Sequence, residues 1–471
     1  MGIQERFFYF AAFVLLGAGA AASGAQITVL NHGEGGLAAQ IAAIKGAKHS
    51  VDYVTFEADP CSSSTQAVLN AMAERAAAGV RVRLLIDGIM MDRNGEALFN
   101  GFASRNKIQF KGYNDHTFIL NKPLRSHIKL LSVDSGARDA VYFALGRNLS
   151  DSYYGLDGSF NMMGRDLMIR ESGARQAGDA FEKMWNFRWS RESNLNVVSL
   201  DNTCLDDSRR DKSIEAHYSD RAAAITSSLP QFSCRNVDFF MDDPHFSDAR
   251  YANDSNGDGG GSNNTGADFM NEQRLALKHT SRNMLEFIDG AQDVLYMENQ
   301  YYLPVYQLRQ SIQRARDQRH VKILVLTNST AQIQSDLSAT MTRQMRRAAR
   351  RDSTGSMTVV PISGLGALRS EGRATGTERV RWYIHSKTAV RDHKDIYVGS
   401  FNLDQLSFSN NLESGAIVRN CPKLAASIEA EYNKQVLTFN ADVKNCPHCL
   451  TEMPEQGVFA AIFGGLASSF F

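Results

Sequence analysis

One spacing occurs twice in this chain and constrains its fold more than any other feature. His127, Lys129 and Asp134 follow the order His-x-Lys-x4-Asp, and His385, Lys387 and Asp392 repeat it with identical separations. Each copy then runs through a β-branched stretch to a small polar turn ending in asparagine. The turn is Gly146-Arg147-Asn148 in the first half and Gly399-Ser400-Phe401-Asn402 in the second. A carboxylate follows each turn, Asp166 and Glu413. A lone His-x-Lys is ordinarily a surface strand, but chance does not reproduce the whole order. The chain therefore folds as two related units.

The remaining pattern supports duplication. Residues 51–56 and 80–87 read as buried strands around an Ala-rich helix at 65–78, a parallel crossover. Residues 293–297, 308–319 and 320–327 repeat that strand, helix and strand. Strands at 108–111 and 357–361 correspond in the same way, and further elements are expected at 35–48, 166–170, 179–188, 237–241 and 396–398. This is a long internal repeat, not a solenoid. The expected fold is α/β, a duplicated mixed-sheet sandwich with two halves about a pseudo-twofold axis. Each half would bring its histidine to the shared seam. Residues two apart share a strand face, so each His should stand beside its Lys.

These residue types suit attack on a phosphodiester. The group is anionic and resists nucleophiles, so it needs cations and donors on its oxygens, a nucleophile, and an acid for the leaving alcohol. Lys129, Lys387, Asn148 and Asn402 can hold the phosphate, and Ser400 can add a hydroxyl donor. One imidazole can attack phosphorus while the other moves the proton, because histidine titrates near ~6.5. A carboxylate on the far ring nitrogen would fix each tautomer. Glu413 is expected to do this for His385 and Asp166 for His127. No separate metal-type ligand cluster accompanies the motifs, so the expected reaction needs no metal and no cofactor.

The two His-x-Lys-x4-Asp segments, with GSFNLDQLSFSNNLE after the second and GRNLSDSYYG after the first, resemble the phospholipase D superfamily, and within it bacterial cardiolipin synthases. The resemblance covers nearly the whole chain after the leader. It implies a covalent phosphohistidine, with His127 as nucleophile and His385 as general acid and base. It implies structural roles for Asp134 and Asp392, although both belong to the catalytic signature. Cardiolipin synthases usually carry a second glycine where Leu145 stands, and the first turn lacks the hydroxyl of Ser400, so the two sites should not be equivalent. Water as acceptor gives a phospholipase D and a lipid hydroxyl gives a synthase. The segment Asp242-Asp243-Pro244 leans toward the synthases. An exported phosphodiesterase or nuclease of the same fold, and a non-catalytic lipid-binding relative, are the other readings.

Composition narrows the partners. Lys plus Arg and Asp plus Glu both number 51 in 471 residues. A dedicated non-specific nucleic-acid binder is usually basic, so nucleic acid is not the expected partner. A phospholipid substrate and peripheral membrane contact are. Residues 1–25 read as a signal peptide, with an uncleaved anchor as the alternative. The expected location is the periplasm or the exterior. The six cysteines agree with export. Their pairing is open, but Cys446-Pro447-His448-Cys449 reads as part of a structural disulfide involving Cys421, before a redox or zinc motif.

The expected organisation is a first half at 26–200, a divergent connection at 201–272, a second half at 273–445, and an apolar tail at 446–471. The connection holds a Gly/Asn-rich loop at 254–266. It resembles the opening of a calcium loop but has Thr265 where glutamate is required. The arginine-rich stretch at 335–351 reads equally as a solvated face and as an anionic-lipid contact.

Overall fold

Two sheets carry the same strand order in this computed structural model. It describes residues 24–114, 125–170, 174–193, 195, 199–201, 203–206, 212–247, 272–329, 340–345, 348, 356–362 and 381–445. The first, nine-stranded sheet runs in space Gln231–Cys234, Ala25–Leu30, Asp166–Arg170, Val141–Ala144, Leu130–Val133, Ser50–Thr55, Arg81–Asp87, Gln109–Tyr113, Ser190–Arg191. The second, seven-stranded sheet runs Asn236–Met241, Ser414–Arg419, Asp395–Gly399, Lys387–Arg391, Val294–Asn299, Lys322–Asn328, Met357–Ile362. From Ala25–Leu30 to Gln109–Tyr113 and from Asn236–Met241 to Met357–Ile362 the first four pairings are antiparallel and the last two parallel; Ser190–Arg191 adds an antiparallel edge to the first sheet. The duplication thus extends to the direction of every equivalent strand.

The sheets pack face to face, because their central strands are apolar on both sides. Ser50–Thr55 is buried at every position. Ile27, Leu130, Tyr142 and Ile169 of the first sheet share one core with Val237, Phe239, Val398 and Val418 of the second. Tyr142 meets Phe239 edge to face at 5.5 Å between ring centres. Helices Gly33–Gly46 and Ser63–Ala77 cover the outer face of the first sheet, packing Leu37, Ile41 and Val68 around Tyr53 and Leu84. Helices His279–Asp289 and Tyr306–Arg319 cover the second, with Phe287 and Leu308 against Leu295 and Val325. Helix, sheet, sheet and helix layers leave each half a separate outer core and one shared inner core.

Most of the expected strands and helices are present with small shifts of their ends, but Ala25–Leu30 was not anticipated. It follows directly on the apolar leader, which hides its own signal. Asn236–Met241 joins the second sheet as expected, whereas Gln231–Cys234 just before it joins the first. The chain therefore crosses between halves at Arg235. Cys234 is bonded there to Cys421, and Cys61 to Cys204. This corrects the expected partnership of Cys421 with the C-terminal cysteines. The bond closes a loop of 187 residues and ties the two halves together. Residues 1–23, the Gly/Asn-rich loop, Arg346, Arg347, Arg350, Arg351 and residues 446–471 lie outside the described residues. Among the described residues no helix is long and apolar enough to cross a membrane.

Candidate active site

The seam between the halves is built by reciprocal exchange. Ser126, next to His127, bridges Leu412 of the second half, and Leu412 N–H donates to Arg125 O at 2.8 Å. In return Arg381–Ile384 pairs in parallel with Phe160–Met163, and His385 N–H donates to Met163 O at 2.7 Å. Each histidine segment therefore lies beside the segment that leads to the other half's carboxylate. Arg165 and Glu298, one from each half and both buried, close the seam as an ion pair.

Both histidines line one cavity of about 410 Å³. Neither histidine lies within a strand: the strands that follow begin at Leu130 and Lys387, and the ammonium folds back on the histidine carbonyl. Lys129 Nζ donates to His127 O at 3.0 Å, and Lys387 Nζ to His385 O at 2.7 Å. The expected uninterrupted strand is thus corrected, while the pairing of each His with its Lys is present. Both lysines are fully buried. Burial lowers the Lys129 ammonium to about 7. Burial first, and then Lys129 itself, holds Lys387 well below its ordinary value. Burial followed by the two ammonium groups also depresses both imidazoles. A pocket that disfavours its own positive charges is relieved by an anion placed between them.

The carboxylates are not distributed as expected. Glu413 receives His127 Nδ1 at 2.8 Å, so it serves the histidine of the other half, not His385. It also accepts from Ser400 Oγ, from Ser407 Oγ at 2.7 Å and from Asn411 Nδ2 at 3.3 Å. Those donors and the nearby Lys129 and Lys278 oppose the rise in its pKa that complete burial causes. Asp166 does not touch His127 either. It accepts from Gly146 N–H at 2.7 Å and is ion-paired to the buried Arg147 guanidinium. His385 Nδ1 is buried with no hydrogen-bond partner among the described residues. Tyr153 stands edge-on to the His385 ring at 4.9 Å, as Phe56 does to His127 at 4.8 Å.

Other expected site residues fall into two groups. Asn148, Asn402 and both histidines face the cavity. Ser400 does not line it: its hydroxyl donates to Glu413 and accepts from Ser414 N–H at 2.9 Å, so it supports the carboxylate and is not a phosphate donor. Asp134 and Asp392 are also away from the cavity. Asp134 accepts from the amides of Lys48, His49 and Ser50 at 2.7–2.8 Å, and Asp392 from Gln292 and Asp293 at 2.8–3.2 Å. Both adopt left-handed backbone, φ 54° and 51°, at the hairpin that follows the lysine. They fasten that hairpin to the start of the neighbouring strand.

Several residues escaped the sequence reading. Asp242 and Lys278, both fully buried, form an ion pair behind Glu413. Asp242 N–H donates to Glu413 O and its carboxylate accepts from Glu413 N–H, both at 2.9 Å, and Lys278 Nζ donates to Asn411 O and Ser407 O. The Asp242-Asp243-Pro244 segment was visible, but its partner lies 36 residues on. Glu57, Tyr153 and Asp404 also line the cavity. Burial raises Asp404 to about 7. Among the described residues no group of three or more His, Cys, Asp or Glu side chains could hold a metal ion.

A duplicated mixed sheet thus brings one histidine from each copy to a single cavity. The second half carries a PLD-like domain. Residues 284–436 match the PLD-like domain of cardiolipin synthase. The fold resembles the phosphatidylserine synthase of Haemophilus influenzae Rd KW20, with a TM-score of 0.55 and 13% identity over 88% of this chain and 86% of that one. Nuc, a phospholipase D family member from Salmonella typhimurium, is similar over 33% of this chain and 86% of its own, with a TM-score of 0.25 and 16% identity. An uncharacterized protein of Helicobacter pylori (strain ATCC 700392 / 26695) is 28% identical over 178 residues, 34% of this chain and 34% of that relative.

Proposed function

We propose that the protein transfers or hydrolyses the phosphatidyl group of phospholipids through a covalent phosphohistidine. The observation that carries this reading is one cavity holding two histidines of which only His127 has a carboxylate on its Nδ1. Glu413 keeps the proton on Nδ1 and leaves Nε2 with its lone pair toward the cavity. It also stabilises the positive ring that forms when Nε2 bonds to phosphorus. His127 is therefore the nucleophile. His385, with no carboxylate to hold it cationic, gives its proton to the departing alcohol as the P–O bond breaks. It then takes a proton from water or a lipid hydroxyl, which attacks phosphorus and releases His127. Lys129 and Lys387, buried behind the histidines, favour an anion in the cavity by their charge, and the bound anion in turn favours the protonated His385 that the first step needs.

A lipid donor is supported by the cardiolipin synthase domain match and by the apolar wall of Leu303, Pro304, Val305 and Leu406, with Tyr306 exposed at 56%. The apolar leader and the two disulfides support action outside the cytoplasm, at a membrane surface. The test is to incubate the purified protein, with chelator, on vesicles of phosphatidylglycerol and phosphatidylethanolamine and to read lipids by mass spectrometry. Phosphatidic acid or cardiolipin is expected. His127→Ala and His385→Ala should each abolish it, and retained turnover in either defeats the mechanism. Cleavage of plasmid DNA without lipid turnover would favour the nuclease reading instead.

A further inference from the structure

The cavity has two chemically different sides. The two ammonium groups lie buried behind the histidines that line it. Its wall beside His385 carries acceptors. The Asn148 amide hydrogens are already committed, to Glu57 Oε2 at 3.0 Å and to Tyr153 Oη at 2.8 Å. The glutamate requires a donor there, so the amide cannot be turned round. Asn148 is 2% exposed, and its Oδ1 is buried with no partner. An orphaned acceptor of that kind costs free energy unless something fills it. Asn148 is thus unavailable as the phosphate donor expected from its motif, whereas Asn402 Oδ1 is unpaired among the described residues. Glu57 and Asp404 line the same cavity, and neither is in an ion pair among the described residues. Tyr153 links this wall to His385, since its hydroxyl donates to Glu57 at 3.2 Å while its ring meets the imidazole.

We propose that Glu57 and Asn148 form an alcohol subsite next to His385, which selects alcohols carrying a second hydrogen-bond donor, a hydroxyl or an ammonium. The reacting hydroxyl meets His385. The second donor satisfies Asn148 Oδ1 and the Glu57 carboxylate. The same subsite holds the leaving headgroup in the first step and the acceptor in the second, because the two steps mirror one another across the phosphohistidine. The inference rests on the transfer chemistry proposed above and adds the class of alcohol that enters it.

The test reads partition, not rate. Phosphatidylglycerol vesicles are turned over in the presence of ethylene glycol, 2-aminoethanol or 2-methoxyethanol, and the transfer product is divided by phosphatidic acid. This ratio is set after the common intermediate, so effects on its formation cancel. Ethylene glycol and 2-aminoethanol should each partition roughly tenfold better than 2-methoxyethanol, which matches the glycol but lacks the second donor. Glu57→Ala should bring all three ratios together. Glu57→Gln should remove the advantage of the amine more than that of the diol. Equal ratios in the wild type, or a preference that survives Glu57→Ala, would overturn the subsite. Phosphatidic acid without any transfer product would overturn it while leaving the hydrolytic reading intact. Failure to turn over any lipid would remove the proposed function and the subsite with it.

Discussion

The two copies share the His-x-Lys-x4-Asp spacing and differ in one charge at the turn that follows. Aligned on their asparagines, Arg147 of the first turn stands where Phe401 stands in the second. Arg147 is fully buried and takes Asp166 for itself. Phe401 is equally buried but cannot bind a carboxylate, so Glu413 remains available to reach His127 across the seam. One histidine gains an anion and the other is left without. Sequence symmetry thus produces a division of labour, because a buried carboxylate answers to the strongest donor within reach and not to its place in the repeat.

The sharpest way to break that comparison is to exchange the carboxylates for amides. Glu413→Gln should lower kcat by about 10³–10⁴, the scale of losing the carboxylate of a triad. Asp166→Asn should leave kcat far less affected and lower stability instead, by about 3–5 kcal/mol, because Arg147 stays buried without its counter-charge. Kinetics and thermal melting of the same two variants check both. Equal losses of kcat would mean that the histidines are interchangeable.

A smaller effect is expected one layer further out. Asp242→Asn weakens the grip on the Glu413 backbone and should reduce kcat with little change in KM, on the order of tenfold, the value of a hydrogen bond to a charged group. On a Glu413→Gln background the same substitution should cost almost nothing more in kcat. Additive losses would show that Asp242 does not act through Glu413.

The mildest effect is on pH. Lys129 is charged below about 7 and loses its proton above it, while Asp404 gains negative charge over the same range. Both changes oppose an anion. The inhibition constant of dimethyl phosphate, which does not titrate there, should therefore rise with pH above 7, by up to about tenfold per unit for one proton. A flat profile from pH 6 to 9 would contradict a charged Lys129 behind the histidines.

Much of the scaffold was legible because strand and helix periods are local. The buried runs that became Ser50–Thr55, Arg81–Asp87 and Lys322–Asn328 announce themselves by their side chains alone. Helix Arg93–Arg105 did not, because RNGEALFNGFASR is broken by glycines and its start is signalled only by Asp92 capping Gly95 N–H at 2.6 Å. The Lys side chains were placed correctly beside their histidines, but by a fold-back onto the carbonyl and not by strand alternation.

By itself the sequence determined that there are two copies, which residues are chemically able to hold and attack a phosphodiester, and where most strands lie. All of these depend on residue type and short separations. Only the tertiary structure decided which carboxylate meets which ring, that Ser400 and Asp134 are supports, and that Asn148 commits its amide hydrogens to Glu57 and Tyr153. Glu413 and His127 are 286 residues apart. Their meeting depends on the exchange of segments at the seam and on which donor each buried oxygen finds first, and no local pattern encodes either.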